Sequence, residues 1–223
     1  MSAGWSAQAQ ADAKLREAQP TGLFARIKAA LGLSAAPSAA AQAEAARWAA
    51  GAEGERRTAD LVHPLAEEGW FGLFDRHIPD LDSANADIVL VSPSGEVVVI
   101  DAKLWHRRAE VRAVNGRLFH GETDYGDALR SVLVETSRIE RSLHEVLSRR
   151  SGSRALRVTP LIAMHNAPVA GGGFTLDGVQ IVPADQLRAL LRKMAGRPDP
   201  VWAAYVAGLA EQLLPRYAEG GPQ

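Results

Sequence analysis

Asn85-Ala-Asp87-Ile-Val-Leu-Val91-Ser-Pro-Ser-Gly95-Glu-Val97-Val-Val-Ile100-Asp101-Ala-Lys103 carries two apolar runs around a turn. Val, Ile and Leu fill 88–91 and 97–100, as expected of strands covered on both faces. Ser92-Pro93-Ser94-Gly95 supplies the turn chemistry. Asp87 opens the first run, and Asp101 and Lys103 close the second. Charged groups therefore sit where a buried sheet would exclude them.

Spacing says more. Residues two apart on a strand share a face, so Asp101 and Lys103 point the same way. A loop with an odd number of unpaired residues (93–95 or 92–96) sets Asp87 opposite Asp101 on the same face. An even loop slips the register and separates them. Two carboxylates side by side repel unless a cation lies between them. Hard divalent ions such as Mg2+ take such oxygens while keeping several waters. A lysine beside that ion can hold or help deprotonate an attacking water. Spacing alone fits equally well a solvated strand end with an ordinary Asp101–Lys103 ion pair.

The chain has only four Lys, at 14, 28, 103 and 193, against 21 Arg. Where arginine is the default cation, a Lys at 103 points to a need for a compact donor with a movable pKa.

The 223 residues suffice for one domain with extensions or two small ones, and nearly half are apolar. A formal net charge of −1 gives no global basic signal, so any nucleic-acid surface must be local. With no Cys, disulfides and cysteine-ligated metals are excluded, which fits a reducing cytoplasm. No apolar run approaches the roughly 20 residues of a membrane span, and the N-terminus lacks a signal-peptide pattern.

Residues 1–20 are polar and Ala-rich. Residues 22–33 form a short amphipathic helix with Leu23, Phe24, Ile27 and Leu31 on one face. Such a helix can lie on a membrane, meet a partner or a second copy, or dock on its own domain. Residues 34–41 read as a linker. A long helix follows from about Ala40 to Glu68, with Trp48, Ala52, Glu55, Ala59, Val62 and Ala66 on one face. Glu55 is thus a carboxylate on an apolar stripe and needs a partner: a metal ion, Lys103, an Arg or water at the stripe's edge. Glu53 lies about 160° away, in solvent company with Arg56, Arg57 and Asp60.

Phe71 to Ile78 reads as the first strand. Beyond Lys103, Glu110–Val114 and Arg117–Phe119 flank Asn115-Gly116, a strong hairpin signal. The window from Lys103 to His120 holds five cations (Lys103, Arg107, Arg108, Arg112, Arg117) against Glu110. It can track a phosphate backbone or be a solvated hairpin face. Gly126 to Arg150 is an amphipathic helix, with arginines 138, 141, 149 and 150 decorating it. Arg157 to Met164 is a buried strand whose Pro160 predicts an edge or bulge. Gly171-Gly172-Gly173 is a loop without a phosphate-cradling motif. Val179 to Val182 is a further strand, and Ala184–Met194 and Pro200–Tyr217 are closing helices. His120 and His165 read as isolated fillers.

The order is helix with Glu, strand, strand with Asp, strand ending Asp-x-Lys, helix, strand. It resembles the PD-(D/E)xK nuclease superfamily, and more closely its NERD (nuclease-related) domain. The resemblance rests on Trp48-Ala-Ala-Gly-Ala-Glu-Gly-Glu-Arg56, Asp75-Arg-His-Ile-Pro79, Asn85-Ala-Asp87 with its apolar run, and Val99-Ile-Asp101-Ala-Lys103-Leu-Trp105. It covers roughly residues 44–185. Ile88 stands where the pattern has His after the first Asp. The Asn-Pro-x-x-Gln that opens the next helix is absent, with Asp127-Ala-Leu-Arg130 nearby.

The resemblance implies an α/β fold: a restriction-endonuclease-like mixed sheet flanked by helices, with an N-terminal helical arm. It implies Glu55, Asp87 and Asp101 as metal-binding carboxylates for Mg2+ or Mn2+, and Lys103 as the residue that orients or activates water. The expected activity is endonucleolytic hydrolysis of DNA, with RNA not excluded, and Arg107, Arg108, Arg112 and Arg117 on the backbone. The expected division is an arm and linker at 1–40, a nuclease-related domain at 41–195, and a C-terminal helix at 196–223 packing on it. Two rivals stand beside this reading. One is a non-catalytic nucleic-acid-binding or scaffolding module of the same fold. The other is a protein anchored to a membrane or partner through residues 22–33.

Overall fold

The protein is described from a computed structural model, which defines residues 39–81, 84–150 and 154–216. The amphipathic helix expected at 22–33 and the rest of the arm through residue 38 lie outside these residues.

Helix α1 (Ala39–Val62) leads into a 3-10 segment (His63–Glu68) closed by left-handed Gly69. The expected single helix to Glu68 is corrected here. Pro64 has no N–H and crowds the preceding turn, so the α-helix stops at Val62. The tighter turn buries Leu65 and leaves Ala66 exposed, the reverse of the expected stripe.

Strands β1 (Phe71–His77), β2 (Asn85–Val91) and β3 (Val97–Leu104) form an antiparallel meander. The turn between β2 and β3 leaves 93–95 unpaired: Ser92 N–H donates to Glu96 O (2.8 Å), and Gly95 N–H to Ser92 O (2.8 Å). The odd loop sets Val91 against Val97 and Ile88 against Ile100. All eight apolar residues of these two runs are at most 1% exposed. A fully buried Val, Leu or Ile contributes roughly 1.5–3 kcal/mol, so this pair is held firmly.

Beyond a small three-stranded sheet of β4 (Val111–Val114), β5 (Arg117–His120) and β6 (Thr123–Asp124) comes helix α2 (Gly126–Arg150). Asn115 (φ 49°) and Gly116 (φ 74°) make the two-residue turn of β4–β5, where both positions need positive φ. Strand β7 (Val158–His165) then pairs parallel to β3 along its whole length. After β8 (Phe174–Leu176), β9 (Val179–Pro183) pairs parallel to β7, giving the order β1-β2-β3-β7-β9-β8. Helices α3 (Leu187–Met194) and α4 (Pro200–Leu213) close the chain. The short strands β6 and β8 are not anticipated by the sequence pattern.

Strand β7 is central, not the edge or bulge that Pro160 suggested. Arg157 O accepts from Val97 N–H (2.9 Å), so alternation turns the Pro160 nitrogen away from β3. On that other side β9 begins pairing only at Leu161. The missing donor falls where no ladder bond is required.

Both faces of the sheet are covered. Val89, Val91, Val97 and Val99 pack under α2 and α4, through Ile139, Leu143, Val206 and Ala210. Ile88, Leu90, Val98 and Ile100 pack under Val62, Leu65 and the α3 leucines 187 and 191. The result is a mixed α/β architecture with a restriction-endonuclease-like sheet. No helix among the described residues is long and apolar enough to cross a membrane.

Candidate active site

The β2–β3 ladder stops at Ile88 and Ile100. Asp87 and Asp101 stand at the next position of the same register, where the strands part. Asp87 Oδ2 accepts the Ala102 N–H (2.8 Å), replacing the ladder bond that β2 no longer supplies. Lys103 Nζ donates to Asp101 Oδ1 at 2.7 Å, as two residues on one strand face can. Asp87 follows the alternation of Val89 and Val91, which places both aspartates on the α2 face of the sheet.

Glu55 comes from α1, on the opposite face. Gly54 eases this: a Cβ there would lie a tight 3.3 Å from Leu104 Cβ and 3.4 Å from Leu104 N, so a larger residue would push the helix or β3 back by a few tenths of an ångström. Glu55 is 6% exposed and its Oε2 has no hydrogen-bond partner; Asp101 Oδ2 is likewise unpartnered. Burial, then the charges of Asp87, Asp75 and Asp101, push the Glu55 pKa from the ordinary 4.5 to about 9. Burial and Asp101 raise Asp87 from 3.8 to about 7. Burial acts to lower Lys103, but Asp101 and Asp87 outweigh it and raise its pKa, so it remains an ammonium. Glu53 instead faces solvent, with Arg57 Nε at 2.6 Å and Arg56 also paired to it.

These groups line a cavity of about 710 Å3 that also contains residues the motif does not include. Glu135 of α2 is the most telling. Burial first, then Asp101 and Asp87, lift its pKa from 4.5 to about 8. With Ala128 and Ser131 it makes a stripe at three-and-four spacing into the cavity, beside the apolar stripe of Leu129, Val132 and Ile139. That stripe is the signal that could have found it. The absent Asn-Pro-x-x-Gln would put a polar group in the first turn of this helix; Glu135 puts a carboxylate in its third.

Asp75 of β1 belongs to the Asp75–Pro79 stretch and is not among the residues lining the cavity, but its charge acts on Glu55 and Asp87. It occupies the register position opposite Asp87, but its left-handed backbone (φ 51°) drops it out of the ladder between Phe74↔Ile88 and Arg76↔Ala86. Asn85 Nδ2 donates to its Oδ1 at 2.9 Å.

The four arginines expected on a nucleic-acid backbone divide. Arg107 and Arg108 are exposed and line a shallow groove with His106 and Asn166. Arg112 pairs with Glu122 (3.3 Å) and Arg117 with Asp124, so both tie the small sheet together. None of the four lines the carboxylate cavity, whereas Arg47 of α1 does. On α2, Arg138 stands 3.9 Å from Asp80 and Arg149 pairs with Glu145. Neither histidine is isolated. His120 Nε2 contacts His106 O at 3.0 Å and its ring stacks on Trp105. His165 Nε2 lies 2.7 Å from Thr58 Oγ1, and burial lowers its pKa.

Among the described residues no three His, Cys, Asp or Glu side chains are grouped so as to hold a metal ion as they stand. Mg2+, however, is commonly bound through one or two protein carboxylates, with water and substrate phosphate completing the shell. Asp87 and Asp101, with the unpartnered Oδ2 of Asp101 and Oε2 of Glu55, match that smaller demand. Buried carboxyls with raised pKa values and open oxygens are a donor set short of positive charge.

A helix-borne Glu over a strand fork with Asp and Asp-x-Lys, on a restriction-endonuclease-like sheet, defines the PD-(D/E)xK nuclease-like class. The family model of the nuclease-related domain, NERD, matches residues 50–165, just over half of the chain. The chain belongs to that family, which ties it to a nuclease-related function. Neither the search of curated proteins nor that of solved structures finds a match.

Proposed function

We propose that the protein is a Mg2+- or Mn2+-dependent nuclease that hydrolyses DNA phosphodiester bonds. The observation that carries this is the convergence of buried, incompletely satisfied carboxylates on one ammonium at the sheet fork. Stability alone gives no reason to keep such an arrangement. Asp87 and Asp101 would hold the ion, with Glu55 and Glu135 reaching it from the two flanking helices. The bound ion would supply Lewis-acid charge neutralisation at the scissile phosphate.

The chain's own groups divide the remaining work. Lys103, kept charged by its two aspartates, acts as a hydrogen-bond donor that places water or a phosphate oxygen, not as a base. Asp101 fixes the ammonium through the 2.7 Å contact. The Ala102 N–H holds the Asp87 carboxylate in one orientation. Without the ion, Glu55 and Glu135 carry protons at neutral pH; binding it would release them. Arg107 and Arg108 would contact the backbone without reading sequence.

The test incubates the full chain with linear, circular, single-stranded and branched DNA in Mg2+, Mn2+ or EDTA, beside Asp101→Ala and Lys103→Ala. Metal-dependent cutting lost in both folded variants supports the nuclease. DNA binding without cutting under every condition would refute it and favour a binding module.

A further inference from the structure

We propose that the candidate site takes an unpaired nucleobase against an aromatic wall formed by Trp105 and Tyr125, so that the substrate is a single strand or a frayed end, not continuous duplex. This deepens the nuclease reading and rests on it for the identity of the ligand.

Trp105 follows Lys103 by two residues, at the end of β3, and Tyr125 immediately precedes α2. Their ring centroids are 4.1 Å apart. His120 stacks against Trp105 at 5.0 Å, and His106 lies 4.3 Å from His120. The wall is pinned: Trp105 N–H donates to His165 O (3.3 Å), Tyr125 N–H to Leu118 O (2.8 Å), and both side chains back onto the core around Val111 and Leu118. Yet Trp105 and Tyr125 are only half-buried, and both line the same 710 Å3 cavity as Asp87, Asp101 and Lys103. Trp48, also half-buried, lines it from α1.

A core that needed only apolar volume would not leave ring surface facing a charged cleft. Bases in a duplex are covered by their neighbours, so only an unpaired or extruded base offers its face to a ring. Stacking on aromatic side chains tolerates any base. The cavity volume falls within the roughly 300–1,000 Å3 typical of small-ligand sites. A base on Trp105 would share the cavity with the carboxylates and Lys103, where its phosphate would lie.

The experiment measures anisotropy of labelled 12-mers with the full chain in Ca2+, a hard divalent ion used to allow binding while limiting cleavage. Three probes are compared: a base-bearing single strand, an abasic strand with the same phosphates, and a duplex. We expect the base-bearing strand to bind about tenfold or more tightly than the abasic one, and more tightly than the duplex. Trp105→Phe should keep most of that ratio, and Trp105→Ala should bring it towards one. Because Trp105→Ala could disturb the fold, Gly51→Leu provides a second variant. Gly51 lines the cavity, and a Cβ there meets nothing within 4 Å, so a side chain can be started there without a clash; circular dichroism checks that the variant keeps its fold. It should weaken the base-bearing strand far more than the abasic one.

Equal affinity for base-bearing and abasic strands, duplex binding as tight as single-strand binding, or no binding of any strand would each overturn the proposal. A base preference without Mg2+-dependent cutting would sink the nuclease reading and leave this inference standing. Cutting with no base preference would do the reverse.

Discussion

Replacing Glu55 by Gln should stabilise the ion-free protein at pH 8 and leave it almost unchanged at pH 4. The native carboxyl holds its proton up to about pH 9, whereas the unfolded one releases it near 4.5. The native state therefore binds the extra proton throughout that window, and stability falls as pH rises through it. At pH 8 the ceiling on this cost is ~5 kcal/mol, at 1.36 kcal/mol for each pH unit above 4.5. Relaxation and water penetration reduce such penalties, so a gain of about 2 kcal/mol is the working expectation. Gln keeps the shape and carries no proton to lose. For a protein of this size the gain corresponds to a rise of roughly 4–8 °C in Tm. Scanning calorimetry in EDTA at pH 4, 6 and 8 measures it. Mg2+ should close the gap, because a cation stabilises the ionised wild-type side chain and not the amide. A variant that melts at or below wild type at pH 8 would refute the reasoning, since Glu55 would then be ionised and paired in the native state.

Gly51→Ala should raise stability by about 0.5–1 kcal/mol in chemical denaturation, because it removes a helical glycine where the new methyl meets open space; a loss would mean that α1 is not a regular helix there. Glu135→Gln should weaken Mg2+ binding about tenfold by calorimetry and reduce the protons released on binding; unchanged affinity and proton release would remove Glu135 from the site. Glu53→Ala should leave the melting temperature and any cleavage rate essentially unchanged, since its partners Arg56 and Arg57 are exposed; an effect larger than that of Glu55→Ala would reverse the assigned face of α1.

Local pattern carries a reading as far as local physics decides the structure. The β2–β3 register follows from a turn three residues wide, and β4–β5 from Asn-Gly, because both are closed by neighbours in sequence. Helix α2 is plain from its periodic leucines. What the pattern leaves open is non-local. Whether Pro160 marks an edge depends on where β9 begins pairing, some twenty residues later. Glu135 is one of several acids on an amphipathic helix until the fold turns its stripe toward Asp101. Arg112 and Arg117 count as cations in any window of sequence, but Glu122 and Asp124 neutralise them only once β4, β5 and β6 are paired. Pro64 is the exception: its effect is local, and the apolar period masked it.

Asp75, Asp87 and Asp101 occupy matching positions on three adjacent strands, in a sheet otherwise filled there by Val, Ile and Leu. Like charges directly across a ladder destabilise it, and the ladder responds by opening. Asp75 leaves it through a left-handed backbone, and Asp87 exchanges a backbone partner for a side-chain bond to Ala102 N–H. The β2–β3 pairing ends before Asp87 and Asp101, and these two carboxylates line the cavity at the fork, whereas β1 and β2 resume pairing beyond Asp75. Hydrophobic residues at these three positions would extend the ladder, close the fork and give a more stable protein with no site. The buried valines and isoleucines on either side are what allow the sheet to tolerate three acids at its end. The site is thus a local end of β2–β3 pairing, where two of the three acids meet the Lys103 ammonium in the cavity.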